Sequence, residues 1–225
     1  DKGDHWTNLR NCAYLDDLVN DKIVWIELTD KPNFYLDKDG ELPIFINGRV
    51  SSEDERGKAK YWSVQILNTI RSSGIANPHT SETNEFHFVD GDRGWNNYNG
   101  KSWASKENPY FASDRAMGGR IQASEDWNTI LSKLKRDPKT GKIIEKIQIY
   151  THSRGAAFGQ GYTEQLFQLI KENANQFQDA NGEIEFSLNL DPHQSYDVNA
   201  VSGVPTYSID HDNIAAGNGM NGVKA

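Results

Sequence analysis

The chain has 225 residues, 36% of them hydrophobic, enough for one domain with its own core. Its formal net charge of −8 is unevenly spread: residues 1–150 carry 21 Lys or Arg against 23 Asp or Glu, and residues 151–225 carry 3 against 9. There is no Lys/Arg cluster to serve nucleic acid or anionic lipid, no run of about 18 apolar residues to span a membrane, and only one cysteine, Cys12, which excludes an internal disulfide or thiolate cluster.

Cys12 is therefore expected to be inert, in a protein folded in a reducing compartment. Asp1-Lys2-Gly3-Asp4-His5 shows no signal-peptide pattern, and without an initiating Met the natural start is expected elsewhere. Internal repeats and low-complexity tracts are absent, so residues 1–225 read as one domain.

In chain order, Ile23–Ile26 and Phe34–Leu36 are short apolar strands, closed by the turn residues Asp37-Lys38-Asp39-Gly40. Residues 1–41 thus read as an antiparallel lead-in. Asp37-Lys38-Asp39-Gly40-Glu41 starts with calcium-loop spacing but lacks the later ligands, and a hairpin turn explains it better. Leu42–Ile46 is a continuous apolar run, as in a strand buried on both faces, ending at Asn47-Gly48. Ser52 and Glu55 have capping-box spacing, and Ala59, Trp62, Ile66, Leu67 and Ile70 follow at helical spacing up to Gly74.

A strand around Phe86–Val89 leads into residues 90–122, a polar, aromatic-rich stretch long enough to be a loop covering a site. Ser124 is placed to cap a helix carrying Trp127, Ile130, Leu131 and Leu134, which Asp137–Gly141 terminates. Then come a strand Ile143–Tyr150, a helix with Ala157, Leu166, Leu169 and Ile170, a strand Ile184–Leu190 and a strand around Val204–Ile209. This alternation predicts an α/β fold: a mainly parallel, doubly wound sheet with helices on both faces. Ligands of such sheets bind beyond the carboxyl ends of the strands, which collects Asn47-Gly48, Asp90, Ser153, Asp191 and Asp210-His211 on one edge.

Ser153 stands out at that edge. A serine hydroxyl is a weak nucleophile that needs a base, a group orienting the base, and donors for the oxyanion. A sharp strand-to-helix turn exposes the serine oxygen and sets the Arg154 N–H at the positive end of the helix dipole. Gly155 and Ala156 let that helix pass close to neighbouring strands, and Thr151 stands where the Gly-x-Ser-x-Gly pattern has its first glycine. The bland alternative for Ser153 is a helix cap, and for Asp191 a turn residue ahead of Pro192. His152 reads as a packing residue, and His87, between Phe86 and Phe88, as a strand residue facing solvent or the loop. Asp90-Gly91-Asp92-Arg93-Gly94 reads as a Gly-rich turn before a carboxylate pair for a metal. Trp95, Tyr98, Trp103, Tyr110 and Phe111 either line an acyl pocket or pack the long loop.

Thr151-His152-Ser153-Arg154-Gly155-Ala156 resembles the Ser-Arg-Gly-Ala elbow of lipase-like α/β hydrolases, including phospholipase effectors of bacterial type VI secretion and polymorphic-toxin hydrolase domains. Asn189-Leu190-Asp191-Pro192 is similar to the Leu-Asp-Pro that carries the acid in lipases. The resemblance spans about Leu42 to Ile209 and implies an α/β-hydrolase fold with Ser153 as nucleophile and Asp191 as orienting acid. It implies an oxyanion hole from backbone N–H groups of Arg154 and of Gly48 or Arg49. The family's chain order Ser, Asp, His selects His211 as base, with His193 or a histidine beyond residue 225 as alternatives, and with Asp210 or Asp212 as alternative acids. No cofactor and no metal are implied. The substrate would be a carboxylic ester, lipid or phospholipid, and the partner a cognate immunity or carrier protein. The setting would be that of a secreted bacterial effector without a classical signal peptide, otherwise the cytoplasm.

Two other classes stay open from the residues: a hydrolase-fold binding module without catalysis, as Thr151 and the unsettled base permit, and a metal-dependent phosphodiesterase or nuclease using Asp90, Asp92, His193 and Asp210. The acidic charge argues against nucleic acid as the substrate.

Overall fold

Period-two alternation in the apolar strands sends side chains to opposite faces of a sheet, and each face then needs its own cover. A computed structural model describes residues 12–17, 22–27, 41–73, 86–92, 111–193 and 198–209. The strands are β1 (Cys12–Asp17), β2 (Lys22–Glu27), β3 (Glu41–Ile46), β4 (His87–Val89), β5 (Lys146–His152), β6 (Ile184–Leu190) and β7 (Thr206–Ile209). The helices are α1 (Val64–Ser73), α2 (Ala112–Lys133) and α3 (Gly155–Glu172).

Five strands form one parallel sheet in the order β4-β3-β5-β6-β7. The chain moves outward from β3 to β4, returns past β3 to β5, and continues through β6 to β7. The reversal leaves a crevice at the carboxyl ends of β3 and β5, where doubly wound sheets bind ligands. On one face Leu42, Ile44, Ile46, Ile147 and Ile149 meet Ile130 of α2 and Phe158, Tyr162, Leu166 and Ile170 of α3. On the other, Phe45, Tyr150 and Phe186 meet Trp62 and Leu67. That face is aromatic: Phe45 stacks on Tyr150 at 4.9 Å and meets Trp62 edge-on at 4.9 Å. The rule that parallel strands are joined by right-handed connections places the helix of the outward step from β3 to β4 on one face and the helices of the steps from β4 to β5 and from β5 to β6 on the other.

α2 and α3 pack backbone to backbone. A Cβ on Gly119 would lie 2.0 Å from the Phe158 carbonyl oxygen, and one on Gly161 would lie 1.8 Å from that of Ala116. Only hydrogen at both positions permits this approach.

Several boundaries differ from the sequence reading. The Ser52–Glu55 pair forms a turn, in which the Ser51 N–H donates to Glu55 Oε2 at 2.7 Å, and Gly57 at φ 57° breaks any helix there. A 3₁₀ turn at Ala59–Tyr61 follows, and α1 starts at Val64 with Ser63 as its cap, whose Oγ accepts the Ile66 N–H at 3.1 Å. α2 begins at Ala112, so residues 112–122 of the expected covering loop are helical, and Ser124 lies inside the helix, bonding back to the Arg120 carbonyl at 3.1 Å. Ile143 makes isolated bridges, and β5 runs from Lys146 through His152. β2 pairs antiparallel with β1, a strand the sequence reading lacks, while Phe34–Leu36 and Asp37–Gly40 lie outside the described residues. His87 is buried instead of facing solvent: its Nε2 is 3.1 Å from Asp126 Oδ2, which also accepts the Tyr162 hydroxyl at 2.9 Å.

Among the described residues no helix is long and apolar enough to cross a membrane.

Candidate active site

The turn after β5 carries the site. Ser153 has φ 53° and Asp191 has φ 49°; among the described residues these are the only non-glycine positions with positive φ. A left-handed backbone is disfavoured for residues with a Cβ, and such strain persists where the surroundings over-determine it. Each of the two follows the carboxyl end of a neighbouring strand. Each also extends the ladder: the Ser153 N–H donates to the Leu190 carbonyl at 3.0 Å, and the Asp191 N–H to that of Ile209 at 2.7 Å. The His193 N–H then donates to the Ser153 carbonyl at 2.9 Å, tying the Asp191–His193 turn to the elbow.

Glycine lets the segments converge. A Cβ on Gly155 would stand 2.6 Å from the Asn47 carbonyl oxygen, and one on Gly48 would stand 2.7 Å from Ser153 Cβ. The loop after β3 is therefore in contact with the elbow, with Gly48 buried and Arg49 exposed. The Arg154 amide sits at the start of α3, where N–H groups lack an intrahelical acceptor. Thr151, in place of the usual first glycine, is fully buried: its hydroxyl donates to Asn189 Oδ1 at 2.7 Å, and its methyl faces Gly159, where a Cβ would lie 2.4 Å away. Thus a missing Cβ on α3 makes room for the β-branched residue on β5.

Buried polar groups brace the loops. Asn47 Nδ2 donates to the Gly48 carbonyl at 2.8 Å and to Asp90 Oδ1 at 3.3 Å, and Asn47 Oδ1 accepts the Gly57 N–H at 2.8 Å. Arg56 Nη1 lies 3.3 Å from Asp90 and 3.6 Å from Asp92, and Arg115, 1% exposed, lies 3.8 Å from Asp92. Burial pushes the Asp92 carboxyl up, opposed by Arg115 and Arg56. The Gly-rich turn reading fits this arrangement: both carboxylates face guanidinium groups. No cluster of three or more metal-ligating side chains occurs among the described residues.

Two histidines flank Ser153. His152 packs, as expected, on Tyr61 and Trp62, with ring centroids 5.6 and 6.2 Å away, and its Nδ1 is 2.5 Å from Tyr61 Oη. Burial lowers its pKa, against the pull of Asp191. His193 is exposed, and desolvation, then Arg154 and Arg115, lower its pKa while Asp191 raises it. Asp191 Oδ1 is buried without a hydrogen-bond partner. Among the described residues no histidine hydrogen-bonds to the Ser153 hydroxyl. His211, Asp210 and Asp212 lie outside the described residues, as do Trp95, Tyr98, Trp103 and Tyr110.

The sequence reading missed Tyr61, Arg56 and Arg115 as parts of this edge. Gly57 inside an apparent helix was the available signal, because a break there turns the next residues back toward β3. Compared with protein-family models, curated proteins and solved structures, the chain has no match in any of the three.

Proposed function

We propose that the chain is a serine hydrolase of carboxylic esters, of α/β-hydrolase type, working through an acyl-enzyme on Ser153. The observation that carries this reading is the pair of left-handed residues, Ser153 and Asp191, at adjacent strand ends, with Ser153 beside Gly48. A helix cap does not require φ 53°, and a plain turn does not require a buried carboxylate oxygen without a partner. Ser153 attacks the ester carbonyl, a histidine takes and returns the proton, Asp191 holds the imidazole, and water releases the acyl group. His193 is bonded through its backbone to the elbow; His211 follows β7, whose Ile209 carbonyl binds the Asp191 N–H. Phe111, 73% exposed ahead of α2, supports an apolar acyl or phospholipid substrate. The resemblance to secreted phospholipase effectors supports an effector setting with a cognate immunity or carrier partner.

A fluorophosphonate probe is expected to label one residue and to fail with Ser153→Ala; persistent labelling of that variant overturns the reading. Turnover is expected to survive EDTA. Losing it in either His193→Ala or His211→Ala, with labelling of the other intact, identifies the base. One observation favours a second reading, a non-catalytic binding module: the Ser153 hydroxyl has no hydrogen bond to a histidine among the described residues. Absence of both labelling and turnover on esters of every chain length would select it.

A further inference from the structure

We propose that the Tyr61 hydroxyl donates a hydrogen bond to the oxyanion formed on the substrate at Ser153, with His152 holding the phenol in place. The inference rests on the serine-hydrolase reading and adds a catalytic residue to it.

The point where Gly48 would carry a Cβ is 2.7 Å from Ser153 Cβ and 3.0 Å from Tyr61 Oη. Ser153 Cβ and the phenol oxygen therefore converge on the Gly48 backbone, with the His152 carbonyl oxygen 2.6 Å from the same point, and the close approach leaves no room for a side chain at Gly48. Tyr61 is fixed from three sides. The 3₁₀ turn Ala59–Tyr61 follows Gly57, whose N–H is held by Asn47, and the neighbouring Trp62 is buried against Phe45. The ring lies against His152, with Nδ1 2.5 Å from the phenol oxygen.

Protonation suits the role. Burial pushes the Tyr61 phenol up to about 12, opposed by the Gly48 amide, so it keeps its proton at neutral pH. Burial lowers the His152 pKa, against the pull of Asp191, which favours the neutral imidazole. In the tautomer with its proton on Nδ1, His152 donates to the Tyr61 oxygen, and the phenolic hydrogen remains for a third group. Asn and backbone donors fill this position in many acyl-transfer sites; a preorganised hydroxyl does the same work in a water-poor site.

In the chemical step the Ser153 Oγ–acyl carbon bond forms, the hydroxyl proton passes to the base, and the carbonyl π pair moves onto oxygen. That oxygen then accepts from Tyr61 O–H and Arg154 N–H. Collapse returns the pair to carbon and breaks the bond to the leaving alkoxide, which takes the proton from the base. Because the charge exists only at the tetrahedral stage, losing a donor lowers kcat and leaves KM nearly unchanged.

With p-nitrophenyl butyrate, Tyr61→Phe is expected to lower kcat about 10²-fold, with KM within about threefold and fluorophosphonate labelling of Ser153 still stoichiometric. A kcat within about threefold of the parent overturns the proposal. The second measurement needs no variant: in a crystal structure of the parent protein phosphonylated at Ser153, Tyr61 Oη is expected roughly 2.5–3.0 Å from the phosphonyl oxygen. A phosphonyl oxygen out of its reach overturns the proposal even if Tyr61→Phe does not fold. If the parent forms no adduct at Ser153, the hydrolase reading itself fails and the role of Tyr61 falls with it.

Discussion

Ser153 and Asp191 hold backbone conformations that cost a residue with a Cβ about 1–2 kcal/mol each. The strain is set by the ladder bonds on either side of each residue, and glycine would escape it. Ser153→Gly is therefore expected to be more stable than Ser153→Ala by about 1 kcal/mol, read as a higher midpoint of thermal unfolding, while both lack ester turnover. Equal midpoints would show that the turn is relaxed and would remove the strain argument for the site. At this scale the sequence was legible for position: a serine between a strand and Gly155-Ala156, and an aspartate after the next strand. It was not legible for His87, because nothing near it in sequence announces Asp126, 39 positions away and 3.1 Å distant.

Between elements, the fit of β5 to α3 turns on one pair. The Gly159→Ala methyl would collide with Thr151 Cγ2, and overpacking of this kind costs about 1–3 kcal/mol. Thr151→Ser removes the colliding methyl and keeps the hydroxyl bonded to Asn189. The double variant is expected to recover most of what Gly159→Ala loses in urea unfolding; strictly additive losses would show that the two residues do not share this space. Gly161→Ala, aimed at the Ala116 carbonyl, has no such small partner and is expected to be the more damaging. Strand positions were readable because apolar runs bounded by turn residues have few other uses, and β6 agrees at both ends. Helix starts were less readable: Ser52 and Ser124 satisfy local capping rules, yet Gly57 interrupts one helix and the contact of Gly119 and Ala116 with α3 extends the other upstream. Tertiary packing outweighed propensity at the second place, and a glycine break did so at the first.

At the scale of the molecule, buried carboxylates occur at both ends of the sheet among the described residues, Glu145 and Glu183 at the amino end and Asp90 and Asp92 at the carboxyl end. At the amino end, burial pushes the Glu183 carboxyl from 4.5 up to about 8, opposed by Lys146 and reinforced by Asp179 and Glu145. Its folded pKa lies above the unfolded value, so its contribution to stability is fully present below pH 4.5 and is lost as pH rises toward 8. Unfolding free energy is expected to fall across that window by an amount on the order of a few kcal/mol, and Glu183→Gln is expected to flatten the decline. A variant with the same slope as the parent would place the titration elsewhere.

The carboxyl end is assembled from loops after β3, β4, β5 and β6, and the Asp191 N–H is received by the final described strand. A chain that ended at β6 would hold the serine elbow yet lack the Ile209 carbonyl that accepts the Asp191 N–H. On the proposed hydrolase reading, a variant truncated before Thr206 is expected to show no ester turnover although its serine elbow is intact, and turnover at the parent rate would show that β7 does not position Asp191.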